Sequence, residues 1–128
     1  MKIVLTDRET DVMQILWEKG PSVVAEVRAE LGDALAYTTV LTILRTLKAK
    51  GYVTHESEGR GHRYRALVKE QAARKSALRH LTSKLFKGSS ELLFAQLVSD
   101  KGLSAEEIKR MRALLQAAKH DDDAPKEG

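Results

Sequence analysis

The apolar period of this chain changes at Gly51, and that change limits the fold more than any other feature. Upstream, apolar residues recur at helical spacing. Val12, Ile15 and Leu16 share one face of a segment that starts near Thr6, with Trp17 beside them. Thr6 and Glu9 have capping-box spacing, and Gly20-Pro21 ends the segment. Ser22 is placed to cap a second helix whose apolar face is Val23, Val24, Val27 and Leu31, ended by Gly32 and Asp33. A third helix is predicted from Tyr37 to Lys50, with Gly51 as its stop. Downstream of Gly51, residues 52–56 and 62–67 read as extended, β-prone runs around the polar stretch Ser57-Glu58-Gly59-Arg60-Gly61. Three short helices followed by a hairpin is the order of a winged helix-turn-helix.

From about Lys69 the helical period returns. Leu78, Leu81 and Leu85 mark a fourth helix that stops near Lys87-Gly88. Ser89 or Ser90 caps a fifth, carrying Leu92, Leu93, Phe94, Leu97 and Val98, and Gly102 breaks it. Ser104 and Glu107 form a second capping box before Ile108, Met111, Leu114 and Leu115. The fold class expected is therefore mainly α with a small β-hairpin wing. A winged helix-turn-helix domain over residues 1–68 is followed by dimerisation helices over 69–118 and a disordered, charged tail over 119–128.

The third helix carries two stripes. Val40, Ile43, Leu44 and Leu47 lie on one side, and Thr38, Thr42, Arg45 and Lys48 on another, with Thr39 and Leu41 at its margins. A helix that enters a major groove needs short hydrogen-bonding side chains, with basic ones beside them for guanines and phosphates. Threonine is a mediocre helix former, so Thr38, Thr39 and Thr42 together near the N-terminal end suggest a role beyond helix stability. A solvated polar face is the plainer alternative. The hairpin adds weight, because Arg60, His62, Arg63 and Arg65 cluster at its turn and second strand. Alternation sets Arg63 and Arg65 on one face and turns Tyr64 towards the domain. Thr38, Thr39, Thr42 and Arg45 are thus the base-reading candidates, and Lys48, Arg60 and Arg63 the phosphate candidates. The net charge of +4 is consistent with a polyanionic partner.

The C-terminal helices are too short to hold a core of their own. Burying Leu78, Leu81, Leu85, Leu92, Leu93, Leu97, Ile108, Met111 and Leu115 against a second copy of the chain is the simplest solution. Such a homodimer sets two recognition helices about one DNA turn apart, or a multiple of it. Folding back on the same winged domain is the alternative.

Other function classes find little support. With no cysteine, disulfides, thiolate metal sites and cysteine nucleophiles are excluded. His55, His62, His80 and His120 lack metal-binding partners at helical spacing, and Gly59-Arg60-Gly61 is too short for a phosphate-binding loop. No enzyme, cofactor or metal is expected. The N-terminus has no signal-peptide character, and no run approaches the ~18 apolar residues of a membrane span, so a cytoplasmic protein without membrane insertion is expected.

The chain resembles the penicillinase-repressor family, which includes the repressors of β-lactamase and methicillin-resistance genes and copper-responsive repressors. The matching stretches run from Leu5-Thr6 through Val12-Met13 to Leu16-Trp17, then Tyr37-Thr38-Thr39-Val40 to Leu47, and Lys50-Gly51-Tyr52-Val53. The wing up to Tyr64 and Leu67, and Leu103-Ser104-Ala105-Glu106-Glu107-Ile108, match too. The resemblance implies a homodimer that represses by occupying a double-stranded DNA operator, an inverted repeat often built of TACA/TGTA half-sites. In the β-lactam branch, a pathway run by a membrane metallopeptidase sensor leads to a cut between an amide residue and an aromatic. The equivalent here is Gln96-Leu97, where leucine replaces the aromatic. The copper branch uses a cysteine cluster that this chain lacks. The expectation is a sequence-specific repressor. Its rivals are a small-molecule-responsive regulator with a crevice near Leu78, Leu81, Phe86 and Phe94, and a winged protein-interaction module.

Overall fold

The computed structural model describes residues 2–32, 35–100 and 102–123. The elements run α1 (Asp7–Lys19), β1 (Ser22–Val23), α2 (Val24–Leu31), α3 (Tyr37–Ala49), β2 (Val53–Glu58), β3 (Gly61–Ala66), α4 (Glu70–Leu85), α5 (Ser90–Ser99) and α6 (Ala105–Asp123). They form two compact units, Met1–Leu81 and Thr82–Gly128.

In the first unit α1 begins on the expected capping box. Thr6 Oγ1 accepts the Glu9 N–H at 3.2 Å, and Glu9 Oε1 accepts the Thr6 N–H at 2.8 Å. Each side chain satisfies a backbone donor that the first turn leaves unpaired. The end of α3 is equally specified. Tyr52 N–H donates to Leu47 O and Gly51 N–H to Lys48 O, with Gly51 at φ 84°. This is the Schellman arrangement, which needs a left-handed residue after the helix, and glycine takes that conformation without a Cβ clash.

Val12, Met13 and Leu16 of α1, Val24 and Val27 of α2, and Val40, Leu44 and Leu47 of α3 are buried in one cluster with Tyr52, Val53 and Tyr64. The three helices thus pack on one another and on the sheet face that carries Val53 and Tyr64. The sheet has the order β1-β3-β2, with both pairings antiparallel. The hairpin is tighter than the sequence suggests. Glu58 pairs with Gly61, and the turn is only Gly59-Arg60, with Gly59 at φ 60°. A two-residue turn of this kind follows the right-handed twist of the strands.

Ser22 departs from expectation. It does not cap α2 but lies in β1, buried, opposite Tyr64, and its hydroxyl donates to Gly20 O at 2.8 Å. Glu26 instead reaches back to accept the Val23 N–H at 3.1 Å. Pairing with a strand some forty residues later outcompetes the local cap. Of the residues expected to end α2, Gly32 sits left-handed at the C-cap, while Asp33 lies outside the described residues.

The two compact units divide within α4, between Leu81 and Thr82. The first turns of α4 belong to the winged unit, since Ala73 is buried in its core and Ser76 Oγ bonds both the N–H and the carbonyl of Ile3. Trp17 Nε1 donates to Val68 O at 2.8 Å, fastening the chain as it leaves the wing.

In the second unit Lys87 and Gly88 both have positive φ, 53° and 74°, and Ser89 Oγ caps α5 by accepting the Leu92 N–H at 3.0 Å. Ser104 and Glu107 make the reciprocal bonds of the second capping box. α6 continues to Asp123, so residues 119–123 are helical where a tail was expected, and 124–128 lie outside the described residues. No helix among the described residues is long and apolar enough to cross a membrane.

Candidate nucleic-acid interface

α3 presents the face that its sequence promises. Val40, Leu44 and Leu47 are fully buried, whereas Thr38, Thr39, Thr42, Arg45 and Lys48 are all exposed. The threonines are not uniform donors. Thr42 Oγ1 donates to Thr38 O at 2.9 Å, and Thr46 Oγ1 donates to Thr42 O at 2.9 Å. With its proton committed to the helix, the Thr42 hydroxyl offers outward only its lone pairs and its methyl group. That surface suits an exocyclic amine of adenine or cytosine, or a thymine methyl.

The wing contributes two different faces. On the side turned to α3, the alternation places His55 of β2 opposite Tyr64 of β3, with His62 next along β3. The His55 and His62 rings have centroids 4.0 Å apart, and Tyr64 meets His55 edge-on at 5.1 Å. Lys48 Nζ reaches over from α3 to His55 Nε2 at 2.8 Å. Arg45, Lys48, Ala49, His55, His62 and Tyr64 line one open cleft between α3 and the wing.

A lysine ammonium can only donate, so His55 Nε2 must be the acceptor and its ring neutral. Burial, then His62, then the Lys48 charge hold the His55 imidazole below its ordinary pKa. Its other nitrogen, Nδ1, is buried without a hydrogen-bond partner. Tyr64 is almost wholly buried, and burial raises its phenol above the usual value, with the Arg45 charge pulling partly back.

On the opposite face Arg63 has an occupation that the sequence does not disclose. Its guanidinium is bound by the Glu58 carboxylate through both Nε and NH2, by Glu26 Oε1 at 3.2 Å, and by Pro21 O at 3.0 Å. It joins both wing strands to the start of α2. Glu58 pulls the Arg63 pKa up, outweighing its desolvation, and Arg63 holds the Glu58 carboxyl below its usual range. Arg60, at the turn, and Arg65 are exposed.

Sequence reading therefore gathers Arg45 and Lys48 correctly on one side of α3 but misses His55 and Tyr64 as their neighbours. The signal was available. Once the turn is fixed at Gly59-Arg60, residues 55 and 64 must face each other.

The expected dimerisation residues are apolar and uncovered within the chain. Leu78, Leu81, Leu85, Leu92, Leu97, Ile108 and Leu115 are exposed, and Leu93 and Met111 are half-buried. Within the second unit, Phe94, Val98, Leu103, Ile108, Met111 and Leu115 line an apolar groove with Arg112 at its side. Gln96 and Leu97 are exposed in the last turn of α5, where Gln96 O accepts the Asp100 N–H and the Ser99 hydroxyl, each at 3.0 Å.

The family model described as "Penicillinase repressor" matches residues 5–117. The methicillin resistance regulatory protein MecI of Staphylococcus aureus (strain N315) is 24% identical over 113 residues, covering 87% of this chain and 92% of its own length. MecI of Mammaliicoccus sciuri matches to the same extent. Among solved structures, transcriptional regulator Tm0710 from Thermotoga maritima superposes with a TM-score of 0.53 at 19% identity, over 94% of this chain and 81% of its own. A MarR family protein from Bacillus stearothermophilus gives 0.51 at 20% identity, over 95% and 78%.

Proposed function

The chain belongs to the penicillinase-repressor family of winged-helix transcriptional repressors, and from that premise we propose that it acts as a homodimer on an inverted-repeat operator. The observation that carries the reading is α3, whose one face is sealed in the core while the other presents Thr38, Thr39, Thr42 and Arg45 beside a cationic cleft. These four side chains read bases in the major groove. Lys48 and Arg60 bind flanking phosphates, which positions the helix without specifying sequence. Arg63 braces the wing, its charge already met by Glu26 and Glu58.

The homodimer follows from the exposed leucines of α4, α5 and α6. So many large apolar side chains in water are offset only by burial, and a two-fold partner offers the same surface in return. Pairing also links two weak half-site contacts into one strong one. De-repression is by cleavage at Gln96-Leu97 in a pathway served by a membrane metallopeptidase sensor. A cut there divides α5 and removes α6 from the interface. The protein works in the cytoplasm, where its DNA is.

The test is binding of the purified chain to its own upstream DNA and to a scrambled duplex at physiological salt. A preference of at least ~1000-fold for the upstream DNA is expected of a specific repressor. Equal and weak binding to both overturns the reading in favour of a winged module that serves a protein partner.

A further inference from the structure

The cleft between α3 and the wing holds more positive charge than its own surroundings answer. Arg45 and Lys48 face it from α3, His55 from β2, and His62 and Tyr64 from β3. Among the described residues, no carboxylate lines it. Glu56 and Glu58 alternate on to the opposite face of the hairpin, where Glu56 pairs across to Arg63 and Glu58 grips it. Two fixed cations and two stacked imidazoles thus share one opening, and the protein avoids the repulsion by keeping His55 neutral as an acceptor for Lys48. The arrangement leaves His55 Nδ1 buried with nothing to bond. A polar atom in that position costs free energy until a partner arrives.

We propose that this cleft is a phosphate site, filled by a phosphodiester of bound DNA, and that the phosphate enters together with a proton taken up by the His55–His62 pair. This rests on the DNA-binding reading above. A phosphate oxygen is the one anion that DNA offers at the junction of a recognition helix and a wing, and Lys48 is in the opening to receive it, with the Arg45 charge beside it. The negative charge stabilises an imidazolium. Once His55 is protonated, its Nε2 no longer accepts from Lys48, so the ammonium is released to bond the phosphate. Free of DNA, His55 reverts to the neutral, lysine-capped state. Because the bound state carries more protons than the free one, affinity rises as pH falls.

The experiment follows the imidazole resonances of the full-length chain by NMR across pH 5 to 9, in three arms: alone, with inorganic phosphate, and with a random-sequence duplex at low salt. Duplex affinity is measured in parallel at pH 6 and pH 8. Binding about fivefold tighter at pH 6 is expected, the gain for one imidazole that holds its proton about tenfold more strongly beside a phosphate. The His55 and His62 resonances should titrate at higher pH with duplex than without. The pH dependence should flatten in H55Q/H62Q and weaken in H62Q, whose side chain is exposed and whose loss does not threaten the core. Duplex binding with unmoved imidazoles, or the same pH dependence in H55Q/H62Q as in the parent, overturns the proposal. If inorganic phosphate moves the rings and the bound duplex does not, the phosphodiester assignment fails and the cleft takes a free phosphate. If no duplex binds at all, the DNA reading itself fails, and the inorganic phosphate arm alone decides the cleft.

Discussion

Lys50 Nζ lies 2.7 Å from Oε1 of Glu9, so the C-terminal end of α3 is pinned to the first turn of α1. Glu9 is doubly employed, because the same carboxylate oxygen accepts the Thr6 N–H of the capping box. Burial alone raises the Glu9 pKa, but Lys50, the Thr6 N–H and the Thr6 hydroxyl together bring it below its ordinary value. The folded carboxyl therefore holds its proton less tightly than the unfolded one. Its stabilising contribution is fully present above the unfolded range near ~4.3 and is lost as pH falls through the lower folded value. Denaturant unfolding between pH 3 and pH 7 should show this acid limb, and Glu9→Gln should flatten it. Lys50→Met leaves a buried carboxylate short of its charged partner and should cost about 2 kcal/mol at neutral pH. An unchanged midpoint in Lys50→Met would show that solvent replaces the ammonium.

Thr42 presents outward only lone pairs and a methyl group, which separates two ways in which it would read a base. Thr42→Val keeps the methyl and removes the acceptor, whereas Thr42→Ser keeps the hydroxyl and removes the methyl. Contact with an exocyclic amine predicts that Thr42→Val loses about 1–3 kcal/mol of operator binding and that Thr42→Ser loses little. Contact with a thymine methyl predicts the reverse. Arg45→Ala should also lose operator affinity on that scale. Comparable losses on random DNA, in gel-shift titrations run side by side, would remove Thr42 from the base-reading set.

Arg60 and Arg63 sit three residues apart in the wing and should behave oppositely. Arg60 is exposed at the turn, so Arg60→Ala should weaken binding to every sequence and reduce the salt slope by about 1. Arg63 is held by Glu58 and Glu26. Arg63→Ala should leave the slope nearly intact and instead speed amide exchange in β2 and β3. A salt slope lowered equally by both variants would return Arg63 to the phosphate contacts.

Leu85 is 72% exposed in the single chain. A polar side chain there disturbs no core, so Leu85→Gln should leave the winged unit folded while weakening self-association. Sedimentation at micromolar concentration should show a larger monomer fraction, and operator binding should become more dependent on protein concentration. A Leu85→Gln chain that sediments like the parent would place the interface elsewhere on α5 or α6.

What the sequence discloses is whatever depends on near neighbours. The Thr6–Glu9 and Ser104–Glu107 boxes, the stop at Gly51 and the buried stripe of α3 each link successive residues within five positions, and all are legible as spacing. What escapes it depends on pairing across the chain. Ser22 lies in a strand because Tyr64 is opposite, and Arg63 turns towards α2 because Glu26 lies nearby. His55 joins the interface because a two-residue turn fixes its register against Tyr64. The length of α6 escapes for another reason. The charged composition of its last turns carries no apolar stripe to mark them as helix, yet the backbone continues to Asp123.

Trp17 is the single tryptophan of the chain, and its indole is fixed to the Val68 carbonyl where the wing gives way to α4. The protein thereby carries an optical reporter confined to one of its two compact units. Emission from Trp17 follows the melting of the winged unit alone, whereas far-ultraviolet dichroism weighs α5 and α6 as well. Coincident transitions by the two probes would mean that the repressor unfolds as one cooperative body. Separated transitions would measure how far the DNA-reading unit stands without its leucine-rich companion, which is the condition that cleavage in α5 would create.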